Sequence, residues 1–213
     1  MTIIVADDSL QIEKISKPNV KHYLMPYTSG YFAGRNLALS QVQTEFVLYV
    51  DDDFIFTNET VLEKMVDKLE NYRITLVAEA VHNGVIIAGR ANMIEIGYSK
   101  KGMCYRHKQI DITHPYLPHC WWTELSLNFF MARTKTLQRI GFDQNIVTST
   151  RGHAEFWIDA LGKSNSIFCN DVTVNHDSKS VANAVYTKAR SNLRHYLLRE
   201  ILFKKNFCDI LLR

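Results

Sequence analysis

The chain has 213 residues, 46% hydrophobic and 22% charged, the balance of an ordinary globular protein with apolar material for a sizeable core. Its net charge of +3, from 25 basic against 22 acidic residues, is too mild to argue for nucleic acid, and no basic stripe interleaved with aromatics appears, though a mildly basic surface favours anionic ligands such as nucleotide phosphates. No run reaches the roughly 18 consecutive apolar residues of a membrane span, and Met1 runs straight into Thr2-Ile3-Ile4-Val5 without the basic start of a signal peptide.

In chain order, Thr2-Ile3-Ile4-Val5-Ala6 is β-branched and apolar on both faces, as buried parallel strands are, and Asp7-Asp8-Ser9 ends it. A short strand follows near residues 20–25, stopped by Pro26. Gly30 opens a loop, and residues 32–41 read as a helix with Arg35 near its start. Glu45 to Val50 is a further buried strand, closed by Asp51-Asp52-Asp53. Residues 60–71 form an amphipathic helix with Val61, Leu62, Met65, Val66 and Leu69 on one stripe. Residues 75–80 make the next strand. Residues 88–123 are read as short strands with a long irregular loop around His114-Pro115-Tyr116-Leu117-Pro118. Then come a strand over 127–132, a helix over 134–140 ended by Gly141, and a helix over 154–161 ended by Gly162. Short strands at 166–168 and 172–174 precede helices with a basic face over 184–212.

No repeat, low-complexity segment or linker divides the chain, so residues 1–213 are read as a single domain. Strands alternating with helices predict an α/β fold with a largely parallel sheet, whose ligands bind at the carboxyl ends of the strands. Two strands end in acid, at Asp7-Asp8 and at Asp51-Asp52-Asp53, so both clusters are expected on one edge.

Three carboxylates at the end of a buried strand repel one another unless water or a divalent cation offsets the charge. Asp51 and Asp53 lie two apart and face the same way in extended backbone, as a pair gripping a cation and a diphosphate would. The competing role is a solvated turn. Asp7 or Asp8 offers acceptors for a nucleoside, and Arg35 in the first turns of a helix favours phosphate or carboxylate. Glu155 and Asp159 lie four apart on one helix face, where a carboxylate can take a proton from a hydroxyl. His176, just after a short strand, is a candidate third ligand of the cation, although a lone histidine is more often structural. Trp121-Trp122 offers an indole for stacking on a sugar, against a role in the core. Among Cys104, Cys120, Cys169 and Cys208 no CxxC pair occurs, which argues against structural zinc. Cys104 and Cys120 are close enough for a small disulfide loop, and four buried thiols are the alternative.

Ile3-Ile4-Val5-Ala6-Asp7-Asp8-Ser9, Tyr31 to Ala38, Val47-Leu48-Tyr49-Val50-Asp51-Asp52-Asp53-Phe54 and Asn128 to Thr134 together resemble the beta-1,4 N-acetylgalactosaminyltransferases that build ganglioside GM2/GD2 and related glycans. Glu155-Phe156 with Asp159, and Asp171 to His176, extend the resemblance. It implies a GT-A, Rossmann-like fold with a mostly parallel sheet, a UDP-sugar donor such as UDP-N-acetylgalactosamine, Mn²⁺ or Mg²⁺, and transfer with inversion onto a glycan or glycolipid acceptor. In that pattern Asp51, Asp53 and His176 hold the cation. Asp7, Asp8, Arg35, Asp51, Asp52 and Trp122 bind substrate, and Glu155 is the base with Asp159 its rival. The resemblance also implies residence in the Golgi lumen and, because the family has a strand and helix before its equivalent of Asp7-Asp8, an N-terminally incomplete domain with a membrane anchor in a segment absent from this chain. A non-catalytic nucleotide-sugar or carbohydrate-binding module is the alternative. A phosphoryl or nucleotidyl transferase is disfavoured by the lack of a glycine-rich phosphate cradle.

Overall fold

The computed structural model describes residues 1–27, 29–83, 86–99, 102–144 and 153–177. The helices expected over 184–212 lie outside these residues.

The first half follows the expected order closely. β1 (Ile3–Asp7) pairs in parallel with β2 (Val20–Leu24) as a separate two-stranded sheet. Helix α1 (Tyr31–Ser40) follows, and its N-cap Gly30 has φ 97° and ψ 148°, a conformation open essentially to glycine alone. β3 (Phe46–Tyr49) ends immediately before the acidic run. β4 (Phe54–Phe56) leads to α2 (Leu62–Asn71), which starts with Glu63 in its first turn, ends with Lys68 in its last, and buries Met65, Lys68 and Leu69. β5 (Leu76–Asn83) and β6 (Ile86–Ala88) form a hairpin, as do β7 (Asn92–Ser99) and β8 (Gly102–Gln109).

β9 (Thr113–His114) and β10 (Leu117–Trp122) occupy the stretch read as irregular loop. Pro115 and Pro118 give the sequence a loop-like look, yet Pro115 falls between the paired segments and Pro118 at the irregular register step between Leu117 and Trp121, where the ladder tolerates a missing donor. β11 (Phe130–Arg133), α3 (Thr134–Ile140), α4 (His153–Ala160) and β12 (Ser166–His176) complete the described chain. β12 is one eleven-residue strand rather than two short ones.

The main sheet runs β3-β11-β5-β12-β10-β9, with β4 beside the last part of β12. It is mixed. β5 and β12 are parallel, while β11 runs antiparallel between β3 and β5. β3, β5 and β12 therefore share one direction, and their carboxyl ends lie on one edge. Alternation along the strands splits the core in two. Leu76, Ala78, Phe130 and Ala132 join α1, α3 and α4 through Phe32, Leu137 and Phe156, while Val77, Phe129 and Met131 meet Met65 and Leu69 of α2 on the other face. Cys120 is bonded to Cys169, its directly opposed partner across β10 and β12, and not to Cys104.

Candidate active site

The carboxyl end of β3 is gathered by α1. Arg35 Nη1 donates to the Val50 carbonyl at 2.6 Å, and Nη2 reaches Asp51 Oδ1 at 2.6 Å. The guanidinium stacks over the rings of Tyr49 and Tyr31, 4.2 and 4.8 Å from their centroids. Tyr31 Oη donates to the same Asp51 oxygen at 2.8 Å and bonds Tyr49 Oη at 2.8 Å. Asn128, just before β11, donates Nδ2 to Asp51 Oδ2 at 2.9 Å and to Tyr31 Oη at 2.8 Å. Asp51 is thus a clamped anion, with donors on both oxygens. Burial pushes the Tyr31 phenol far above its ordinary range and the Tyr49 phenol up to about 12, so both stay protonated donors. Burial works against the charge of Arg35, but Tyr49, Tyr31 and Asp51 raise its pKa in sum.

Asp53 faces a different partner. Residues 52–53 form a turn, so the extended backbone that would align Asp51 with Asp53 is absent. The chain crosses the sheet edge to β4, which pairs with β12 so that Phe54 lies opposite His176. Asp177 N–H donates to the Asp53 carbonyl at 2.8 Å, and His176 Nε2 lies 3.0 Å from Asp53 Oδ2. Asp53 Oδ1 is buried without a hydrogen-bond partner. An orphaned carboxylate oxygen beside an imidazole suits an ion such as Mn²⁺, which accepts both oxygen and nitrogen ligands. Asp52 is exposed at the turn. Among the described residues, Asp51, Asp53 and His176 do not form one compact ligand cluster. The set close enough to do so is Cys120, Cys169 and Asp171, whose sulfurs are joined in the disulfide.

The tip of β1 approaches this site from the separate two-stranded sheet. Asp8 Oδ2 accepts the Gly30 N–H at 3.1 Å, tying the tip to the start of α1. Asp7 accepts Ser9 N–H at 2.8 Å and faces His22 Nε2 at 3.0 Å. These contacts, the Ser9 bond foremost, outweigh desolvation and hold its carboxyl below the usual range. Hydrogen bonds thus run from Asp8 through Gly30 and its neighbour Tyr31 to Asp51.

α4 carries Glu155 in its first turn. The next residue, Phe156, stacks on Phe130 and Phe142 at 5.4 and 5.0 Å, and Phe130 stacks on Tyr49 at 4.6 Å. α4 runs away from the acidic edge to feed the opposite end of β12, so Asp159 lies one turn, roughly 6 Å, farther off. Trp122 does not belong to this edge. It opposes Ile167, five positions down the β5 ladder from the Asn175–His82 pair, roughly 17 Å away, and its ring packs on His114 at 4.9 Å. The core role of an indole prevails there. Tyr31, Tyr49 and Asn128 received no role from the sequence. The signal was indirect: Tyr31 follows the loop glycine and Asn128 opens the segment that becomes β11.

The family model "Glycosyl transferase family 2" matches residues 2–130. A Mus musculus protein, Beta-1,4 N-acetylgalactosaminyltransferase 1, is 45% identical over 187 residues, covering 84% of this chain and 34% of its own length. The Homo sapiens protein of the same name is 43% identical over the same shares, and Mus musculus Beta-1,4 N-acetylgalactosaminyltransferase 2 is 38% identical over 183 residues, 84% of this chain and 34% of its own. The chain thus spans about a third of the length of these relatives. The crystal structure of S. aureus TarS 1-349 superposes with a TM-score of 0.53 at 18% identity, covering 82% of this chain and 50% of that one, which bears on the fold alone. The fold is GT-A, with a mixed central sheet.

Proposed function

The chain belongs to glycosyl transferase family 2, and from that premise we propose that it carries the donor-binding and catalytic part of an inverting, divalent-metal-dependent glycosyltransferase. The names of its relatives point to N-acetylgalactosamine as the sugar, and on the resemblance UDP is proposed as its carrier and a glycan or glycolipid as acceptor. The observation that carries the reading is the pairing of Asp53 with His176 around a buried, unpartnered carboxylate oxygen at the shared carboxyl edge. Asp53 and His176 would hold Mn²⁺ or Mg²⁺. Bound there, the cation would offset the charge of the departing diphosphate.

Asp51 has a separate duty. Clamped by Arg35, Tyr31 and Asn128, it presents a fixed anion whose remaining lone pair, on Oδ2, accepts from a donor hydroxyl. Asp7 and Asp8 take the uridine at the tip of β1, with exposed Asp52 at the mouth. Glu155 accepts the proton of the acceptor hydroxyl as its oxygen bonds the anomeric carbon and the bond to the diphosphate breaks. Asp159 is disfavoured because it sits a turn farther from the edge. Among the described residues no helix is long and apolar enough to cross a membrane, and the Golgi lumen is the compartment proposed on resemblance.

The test is transfer and hydrolysis of UDP-N-acetylgalactosamine with Mn²⁺, and calorimetry with UDP and Mn²⁺. Asp53→Ala and His176→Ala are expected to lower kcat/KM at least 100-fold and to weaken Mn²⁺-dependent UDP binding. Undiminished turnover in either would remove that residue from the metal site. Binding without transfer in the unaltered chain would favour a non-catalytic module.

A further inference from the structure

β12 pairs with β5 in two separate stretches. Ser166–Phe168 lie against Leu76–Ala78, and Thr173–Asn175 against Ala80–His82. Between them the four residues from Cys169 to Val172 face Glu79 alone. Three residues of β12 are thereby taken out of the ladder. An unbroken ladder would set Val172 beside His82, where Asn175 stands, and would carry His176 roughly 10 Å past the edge at about 3.3 Å per residue. The bulge thus decides whether a histidine or some other residue meets Asp53.

A buried charge cluster fills the bulge. Glu79 is fully buried on the α2 face of β5, and its Oε2 accepts the Val172 N–H at 3.3 Å. Lys68 of α2, 4% exposed, bridges Glu79 Oε1 at 2.8 Å and Asp171 Oδ1 at 2.5 Å. Lys64, one turn earlier on α2, donates to the Asp171 carbonyl at 3.1 Å. The first bulge residue, Cys169, is bonded to Cys120. An apolar residue at position 79 would leave the Val172 N–H without its partner and Lys68 with a buried charge held by Asp171 alone. A slipped strand would leave the Lys68 ammonium with Glu79 but without Asp171. Buried ionic groups are best attested as devices that fix register, because each wrong register leaves a charge unpaired.

We propose that Lys68, with Glu79 and Asp171, is a positioning cluster that sets the three-residue displacement of β12 and so delivers His176 to Asp53. Its importance for catalysis rests on the cation reading above; the register claim does not. In this reading the cluster acts through strand register and not through contact with substrate or cation.

The experiment is amide hydrogen exchange on the full chain, alongside titration with Mn²⁺ alone, for Lys68→Met, which keeps length and removes charge. Asp171→Ala, at a partly exposed side chain, is the second variant in case the first fails to fold. Amides of residues 174–177 are expected to exchange at least tenfold faster while those of 166–168 keep their protection, and Mn²⁺ affinity is expected to fall at least tenfold. Unchanged exchange, or equal acceleration in both segments, overturns the proposal, since either leaves the register independent of the cluster. His176→Ala separates the two claims. If it binds Mn²⁺ as well as the unaltered chain, the cation reading fails, and the exchange pattern alone decides the register.

Discussion

Asp51 shows how a residue acquires a role its neighbours in sequence do not reveal. Spacing pairs it with Asp53, yet its donors come from α1 and from Asn128, which is 77 residues away in the chain. Asn128 is 5% exposed and gives one amide nitrogen to both Asp51 and Tyr31. Asn128→Ala should therefore destabilise the chain by about 1–3 kcal/mol, the range for losing a hydrogen bond to a charged, part-buried acceptor. Asn128→Asp should be worse, because it sets a second carboxylate against Asp51. Urea denaturation of the two variants checks the order, and an aspartate variant as stable as the alanine one would mean that Asp51 is not held as an anion. If Asp51 binds the donor, Asn128→Ala should also raise the donor KM more than it lowers kcat.

At the scale of elements, the join between β10 and β12 is covalent. Cys120 and Cys169 are 49 residues apart, and a cross-link closing a loop of that length restricts the unfolded chain by roughly 4 kcal/mol in the chain-entropy account. Reduction by a dithiol should lower the melting temperature by several degrees, and Cys120→Ala should reproduce the loss without reductant. Identical melting with and without reductant would show that the bond adds nothing. The expectation of a Cys104–Cys120 loop failed because proximity in sequence says nothing of which strands lie side by side. Cys169 reaches Cys120 because β12 is hydrogen-bonded along β10. α1 and α2 were legible because their apolar residues recur with the helical period, α3 because Gly141 ends it, and β1 and β3 because they are short apolar runs ending in acid. The 88–123 region was not, since prolines at the irregular step of β10 resemble loop residues until the neighbouring strand is known.

For the whole molecule, the buried Lys68–Glu79–Asp171 cluster ties stability to pH. Burial pushes the Glu79 carboxyl up to about 7, against the pull of Lys68. A carboxyl harder to ionise in the folded chain than in the unfolded one contributes stability that is full below its ordinary value, near 4.5, and is lost as pH climbs through about 7. The stability of the unaltered chain relative to Glu79→Gln should therefore fall steadily from pH 4.5 to 8. Melting curves of both across that range give the measurement, and a difference that grows with pH would mean that Lys68 outweighs desolvation.

The sequence by itself determined the α/β alternation, the acidic ends of β1 and β3, the helix that begins beyond Gly30, and the family resemblance, because each is written in local period or in a contiguous motif. Only the tertiary structure decided that Asp53 rather than Asp51 meets His176, that Trp122 belongs to the core, and that Asn128 and Tyr31 clamp the first aspartate. Those outcomes depend on strand order and on a bulge in β12, and both are set by contacts between residues far apart in the chain, for which no local pattern carries a signal.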